Sequence, residues 1–266
     1  MRPGSSRAVV GGITLEDAAA PHHFHDMPLE PRRFETTQWS LVLRAAGDSS
    51  GALVALDTLC SKYWYPLYAY VRRRGHDAED ACDLTQAFFT RLLERHDVQS
   101  ARRERGRFRS YLLASMKHFL LNDAARRRAL KRGGGQSLRP LDVEAAEGRY
   151  SLEPVDTCTP EIAFDRRWAC SLLECVLNRL RREWIDAGRG AEFDRLSVCL
   201  TGDAPEGGYR QLARDLGTSE GAVKVAVHRL RGRYRRLLRD EIAETVLTEH
   251  AVEEELQHLF RALSSR

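Results

Sequence analysis

The stretch Tyr209-Arg-Gln-Leu-Ala-Arg-Asp-Leu-Gly-Thr-Ser-Glu-Gly-Ala-Val-Lys-Val-Ala-Val-His-Arg-Leu-Arg-Gly-Arg233 decides the fold. It reads as a helix, a tight glycine turn and a second, basic helix, the order of a helix-turn-helix that lays its second helix in the major groove of DNA. Ala213 is small enough for the second helix to cross closely, and Gly217 can take the left-handed turn. Ser219, with Thr218, can cap the free N–H groups of the second helix. Beyond Ser219, Val223, Val227, Leu230 and Tyr234 share one stripe at helical spacing, while Glu220, Lys224, His228, Arg231 and Arg235 share a neighbouring one. The helix therefore has an apolar inner face and a charged outer face. Residues 209–239 hold nine basic side chains against two acidic ones, a local net of +7. An amphipathic pair whose charges are merely solvated would mix its signs more evenly.

A second basic segment lies upstream. Residues 102–132 hold eleven basic side chains against Glu104 and Asp123, a local net of +9, although the whole chain carries only +4. Acidic residues collect between 133 and 165 and again after Asp240. Two basic segments separated in this way suit a polyanion gripped at two places.

The chain has 266 residues, enough for about two domains of ordinary size. Its six cysteines are scattered without a C-x-x-C or histidine partners at ligand spacing, so they read as reduced, mostly buried thiols. His22, His23 and His25 lie in a segment with no cysteine or carboxylate framework, which argues for a solvated loop over a metal site. No apolar run approaches the roughly 18 residues of a membrane span. Residues 1–29 lack the apolar core of a signal peptide. The composition thus predicts a cytoplasmic protein with no cofactor, no metal and no membrane partner. A nuclease-type enzyme would need clustered carboxylates or a His/Cys set beside a basic groove. Asp80 and Asp83 are the only close pair, and they lie outside the basic segments, so no catalytic residue is assigned.

Periodicity predicts an all-α chain of two small helical domains joined by a flexible linker, the second containing the helix-turn-helix. Residues 1–35 read as a mobile tail, 36–132 as the first domain, 133–159 as the linker, 160–240 as the second domain and 241–266 as a helical extension. Trp39, Val42, Leu43 and Ala46 suggest a first short helix. Pro66 should kink or interrupt the next one, and Gly75 should close it. Asp77 opens a helix with Leu84, Phe88, Phe89, Leu92 and Leu93 on a wide apolar face. A polar loop over 96–106 leads to a helix over 107–132 with Phe108, Leu112, Met116, Phe119 and Leu120 inward, stopped by Gly133-Gly134-Gly135. From Pro160, the residues Ile162, Phe164, Trp168, Leu172, Leu173, Val176, Leu177 and Leu180 recur at helical spacing. The last helix should run well past Arg239, since Ile242, Val246, Val252, Leu256 and Leu259 stay roughly periodic.

Two further patterns carry content beyond packing. Around Asp83-Leu84-Thr85-Gln86, the residues Asp80, Asp83, Gln86 and Thr90 form a polar face opposite the phenylalanines. Such a face suits a protein partner with a basic helix, or it merely complements the helix dipole. The segment from Arg107 through Arg109, Tyr111, Lys117 and Asn122 to Arg126, Arg127 and Arg128 interleaves aromatics with base, a composition that holds opened nucleic acid. Phe108, Tyr111 and Phe119 share the apolar sector and read better as core. The exposed arginines are the stronger contact candidates.

Taken together, residues 37–132 and 160–240 resemble a bacterial RNA polymerase sigma factor of the extracytoplasmic-function (ECF) type. Asp83-Leu84-Thr85-Gln86 is similar to the family helix that docks on the clamp of the β′ subunit of core polymerase, which implies polymerase contacts at Asp80, Asp83, Gln86 and Thr90. Residues 108–128 resemble the helix that melts and reads the −10 element. Residues 219–233 resemble the helix that reads the −35 element. The resemblance implies promoter DNA contacts at Arg107, Arg109, Tyr111, Lys117, Asn122, Arg126, Arg127, Arg128, Arg210, Ser219, Glu220, Lys224, His228, Arg229 and Arg231. It also admits an anti-sigma protein as a partner. The segments 1–35 and 241–266 exceed the family's two-domain plan. A helix-turn-helix repressor or activator acting without polymerase is the competing class, and it leaves residues 83–86 and the upstream basic helix without a task.

Overall fold

A computed structural model of the chain describes residues 50–94, 107–129, 147–150, 159–201, 207–246 and 248–264. Among these residues every extended regular element is helical. In chain order they are α1 (Ser50–Arg73), α2 (Ala78–Glu94), α3 (Phe108–Ala129), α4 (Pro160–Asp186), α5 (Gly190–Leu196), a 3-10 helix (Ser197–Thr201), α6 (Gly208–Asp215), α7 (Glu220–Ala243) and α8 (Glu249–Ser264). The short helix expected around Trp39, the loop over 96–106 and most of 133–159 lie outside the described residues.

The chain divides into two compact units that are not contiguous in sequence. One contains Leu173–Glu241. The other contains the described residues of Arg33–Leu172 together with Ile242–Arg266. Helix α4 contributes to both.

In the second of these units α1 is buried around Pro66: Tyr63, Leu67, Tyr68, Ala69, Tyr70 and Val71 are shielded from solvent. This enclosure explains why α1 continues through Pro66, where an interruption is expected from sequence. Proline forfeits one helical hydrogen bond, and the buried Tyr63 and Leu67–Val71 hold the neighbouring turns in place. Helix α2 starts where Asp77 Oδ1 accepts the Asp80 amide at 2.8 Å. Its Leu84, Phe88, Phe89 and Leu92 face inward, as do Phe108, Leu112, Met116, Phe119 and Leu120 of α3. Phe88 meets Phe119 edge-on at 5.8 Å, and Tyr63 meets Phe108 at 5.3 Å. Each such buried side chain contributes about 1.5–3 kcal/mol relative to an exposed one.

Two parts of this unit depart from the sequence expectation. Residues 147–150, inside the stretch read as linker, form a helical turn from which Glu147 accepts hydrogen bonds from Arg72 (Nε 3.0 Å, Nη2 2.6 Å) and from the Tyr68 hydroxyl (2.6 Å). The last helix also does not continue past Ala243. The Thr245 amide and hydroxyl both donate to the Ile242 carbonyl at 2.8 Å, closing the turn, and Thr248 Oγ1 accepts the Ala251 amide at 3.3 Å to start α8. The apolar period runs across this break because Val246 stays buried in the connection and Val252, Leu256, Leu259 and Phe260 resume on α8.

The remaining unit is built on Val176 and Leu180 of α4, Phe193 and Leu196 of α5, Cys199 and Leu200 of the 3-10 helix, Leu212 and Ala213 of α6, and Val223, Val227, Leu230 and Tyr234 of α7. Ile162 and Leu177, placed on the inner stripe by spacing, are 40% and 38% exposed. Burial raises the pKa of the Cys82 and Cys199 thiols, and Cys82, Cys170, Cys175 and Cys199 are thiols outside any disulfide.

Candidate nucleic-acid and polymerase-binding surfaces

The turn between α6 and α7 is a Schellman closure. The Thr218 amide donates to the Ala213 carbonyl at 2.9 Å and the Gly217 amide to the Arg214 carbonyl at 3.1 Å, with Gly217 at φ 62°. Ser219 Oγ then accepts the Ala222 amide at 3.2 Å and so caps α7. Ser219, Glu220, Lys224, His228 and Arg229 of this segment are exposed, as is Arg210 of α6. Lys224 pairs with Glu220 one turn earlier at 2.7 Å, which lowers the Glu220 pKa and raises that of Lys224. Arg231 is placed differently from its neighbours: its Nε and Nη2 donate to the Cys199 carbonyl at 3.0 and 2.7 Å. It fastens α7 to the 3-10 helix instead of standing out with Lys224. Arg195 likewise donates to the Asp215 carbonyl and ties the end of α5 to the end of α6.

On α2, Asp83 is exposed and Asp80, Gln86 and Thr90 are half-buried on the side away from Phe88 and Phe89. Thr85, inside the same four-residue motif, is fully buried and donates to the Ala81 carbonyl at 2.7 Å. Its role is within the helix, whereas Asp83 and Gln86 reach the surface.

Among the described residues of the α3 segment, Arg107, Arg109 and Lys117 do not form a bare cationic face. Arg109 is buried, its Nε and Nη2 donating to the two carboxylate oxygens of Glu255 at 2.5 and 3.2 Å and its Nη1 to Asp165 at 2.6 Å. The guanidinium lies over the Trp168 ring at 4.9 Å. Arg107 reaches Glu255 at 2.9 Å and Glu254 at 3.2 Å. Lys117 pairs with Glu161 at 2.8 Å, a hydrogen bond that holds the Glu161 carboxyl below the usual range. Asn122 is exposed, Tyr111 is half-buried beside Phe108, and the side chains of Arg126, Arg127 and Arg128 lie outside the described residues.

Sequence reasoning did not find the carboxylates that meet these bases. One signal was present: Glu255 falls on the stripe of Val252, Leu256 and Leu259, and Arg109 on that of Leu112 and Met116. A charge at an inward helical position calls for a buried partner. Among the described residues, no group of three or more His, Cys, Asp or Glu is placed to hold a metal ion, and no helix is long and apolar enough to cross a membrane.

The model of the ECF sigma factor family matches residues 55–196, 142 of the 266 residues, and the chain belongs to that family. No curated protein and no solved structure matches the chain. The family is one of transcription-initiation factors, not of enzymes, and its members act with RNA polymerase on promoter DNA. The matched stretch includes α2, α3, α4 and α5 and stops before α6 and α7.

Proposed function

We propose that this chain is the specificity subunit that binds core RNA polymerase through α2 and engages two promoter elements through two separate basic surfaces. The observation that carries the reading is the placement of Asp83, exposed on α2 within the family-matched stretch, opposite the buried Phe88 and Phe89. Asp80, Asp83, Gln86 and Thr90 would meet the clamp of the β′ subunit. The α3 segment would secure the opened −10 element, with the exposed Asn122 and, further along the chain, Arg126, Arg127 and Arg128. The exposed start of α7, with Ser219, Glu220, Lys224 and His228, would read the −35 element, and Arg210 and Arg229 would take flanking phosphates. Joining two modest contacts in one chain makes the second effectively intramolecular.

Run-off transcription with purified core polymerase tests this. Promoter-specific transcripts that require the protein, together with its retention on core polymerase, are expected. Transcription that is indifferent to the protein, with no core binding, overturns the reading and leaves a helix-turn-helix regulator in its place.

A further inference from the structure

We propose that α8 is an intramolecular cover on the DNA-binding start of α3, its Glu254 and Glu255 carboxylates occupying the arginines that would otherwise take strand phosphates; this rests on the reading of α3 given above. All three of the candidate cations on this segment whose side chains are described, Arg107, Arg109 and Lys117, are bound to carboxylates. The grip on Arg109 is two-pronged, one guanidinium edge to both oxygens of Glu255. That is the same geometry in which arginine holds a phosphate. Arg107, only 28% exposed, is shared between Glu255 and the half-exposed Glu254.

Arg109 also has partners that do not belong to α8. Asp165 and the Trp168 ring hold Arg109 from the α4 side, so loss of α8 leaves its guanidinium oriented with one edge open. Helix α7 ends at Ala243 and α8 begins at Glu249, with the buried Thr245 hydrogen-bonded back to Ile242 between them. The Phe108 amide donates to the Thr245 carbonyl at 3.2 Å, which sets this turn directly against the first residue of α3. Exchange of two carboxylates for two phosphates keeps the charge balance of the arginines while removing the ion pairs that hold Glu254 and Glu255 of α8 to α3.

The test uses the full chain and a fluorescein-labelled oligo-dT strand. Glu254→Gln with Glu255→Gln is expected to bind the strand about tenfold tighter than wild type, with a salt slope steeper by about 1.4, two phosphates at about 0.7 each. Glu254→Gln alone removes only a half-exposed carboxylate and keeps the fold. It is expected to steepen the slope by about 0.7. Hydrogen exchange of residues 249–264 in the wild type should rise on saturation with oligo-dT. Equal affinities and slopes in wild type and both variants, or unchanged exchange at saturation, overturn the cover. Run-off transcription by the wild type separates this from the function itself: active wild type with unaltered strand affinity in the variants removes the cover and keeps the sigma reading. Tighter strand binding by the variants without core-dependent transcription keeps the cover and removes the polymerase role.

Discussion

Arg233 and Glu183 meet in a two-bond clasp, the guanidinium Nε and Nη2 donating to the two carboxylate oxygens at 2.9 and 2.6 Å. It joins α7 to α4 within one unit, and the hydrogen bonds from Arg233 hold the Glu183 carboxyl below the ordinary glutamate range. A carboxyl depressed in the folded state adds stability above the unfolded value of about 4.3, and that contribution is lost as pH falls through the lower folded value. Stability should therefore fall on acidification below about pH 4.5. Glu183→Gln should lower the melting temperature at neutral pH and flatten the acid loss, so the two melting curves converge in acid. Parallel curves would show that the clasp contributes nothing to the pH dependence.

The turn between α6 and α7 makes two separable demands. Gly217→Ala places a Cβ at φ 62° and should cost about 1 kcal/mol or more, since the left-handed conformation suits glycine and strains alanine. Ser219→Ala removes the cap and should cost about 1 kcal/mol. Denaturant melts measure both, and Ser219→Gly should recover most of the second loss.

Lys224 and Arg231 should behave differently on duplex DNA. Lys224→Ala removes an exposed cation and should leave the melting temperature nearly unchanged while reducing the salt slope by about 0.9. Arg231→Ala orphans the Cys199 carbonyl and should cost about 1–3 kcal/mol of stability. A salt titration paired with thermal melts distinguishes them, and indistinguishable melts would refute the fastening role of Arg231.

Asp83→Ala with Gln86→Ala should weaken retention on core polymerase with little effect on stability, within about 0.5 kcal/mol for each surface substitution. Surface plasmon resonance against purified core reads the affinity. Unchanged binding would remove α2 from the polymerase interface.

Much of the fold follows from local spacing. Phe108, Leu112, Met116, Phe119 and Leu120 are inward as their period demands, and Gly217 and Ser219 close the turn that their chemistry suits. The misjudged features depend on distant chain. Pro66 is tolerated because α1 is enclosed, which no local window reveals. Arg109 looks like a free cation until Glu255, 146 residues away, is brought beside it. Arg231 sits one turn from His228 on a helical wheel, yet the carbonyl of Cys199 claims it. Candidate contacts were legible as residue types, whereas their availability was a property of tertiary pairing.

The unit that holds α3 is assembled from Arg33–Leu172 and Ile242–Arg266. Synthesis is vectorial, and domains generally fold as soon as their own residues emerge. Here Val252, Leu256, Leu259 and Phe260 complete a core whose other residues were made far earlier, with all of Leu173–Glu241 translated in between. A nascent chain stopped at residue 240 would hold nearly all of Leu173–Glu241, while the other unit still lacked its last core residues. The core against which α3 packs would be completed only with residues 242–264, so the unit begun first is the one finished last.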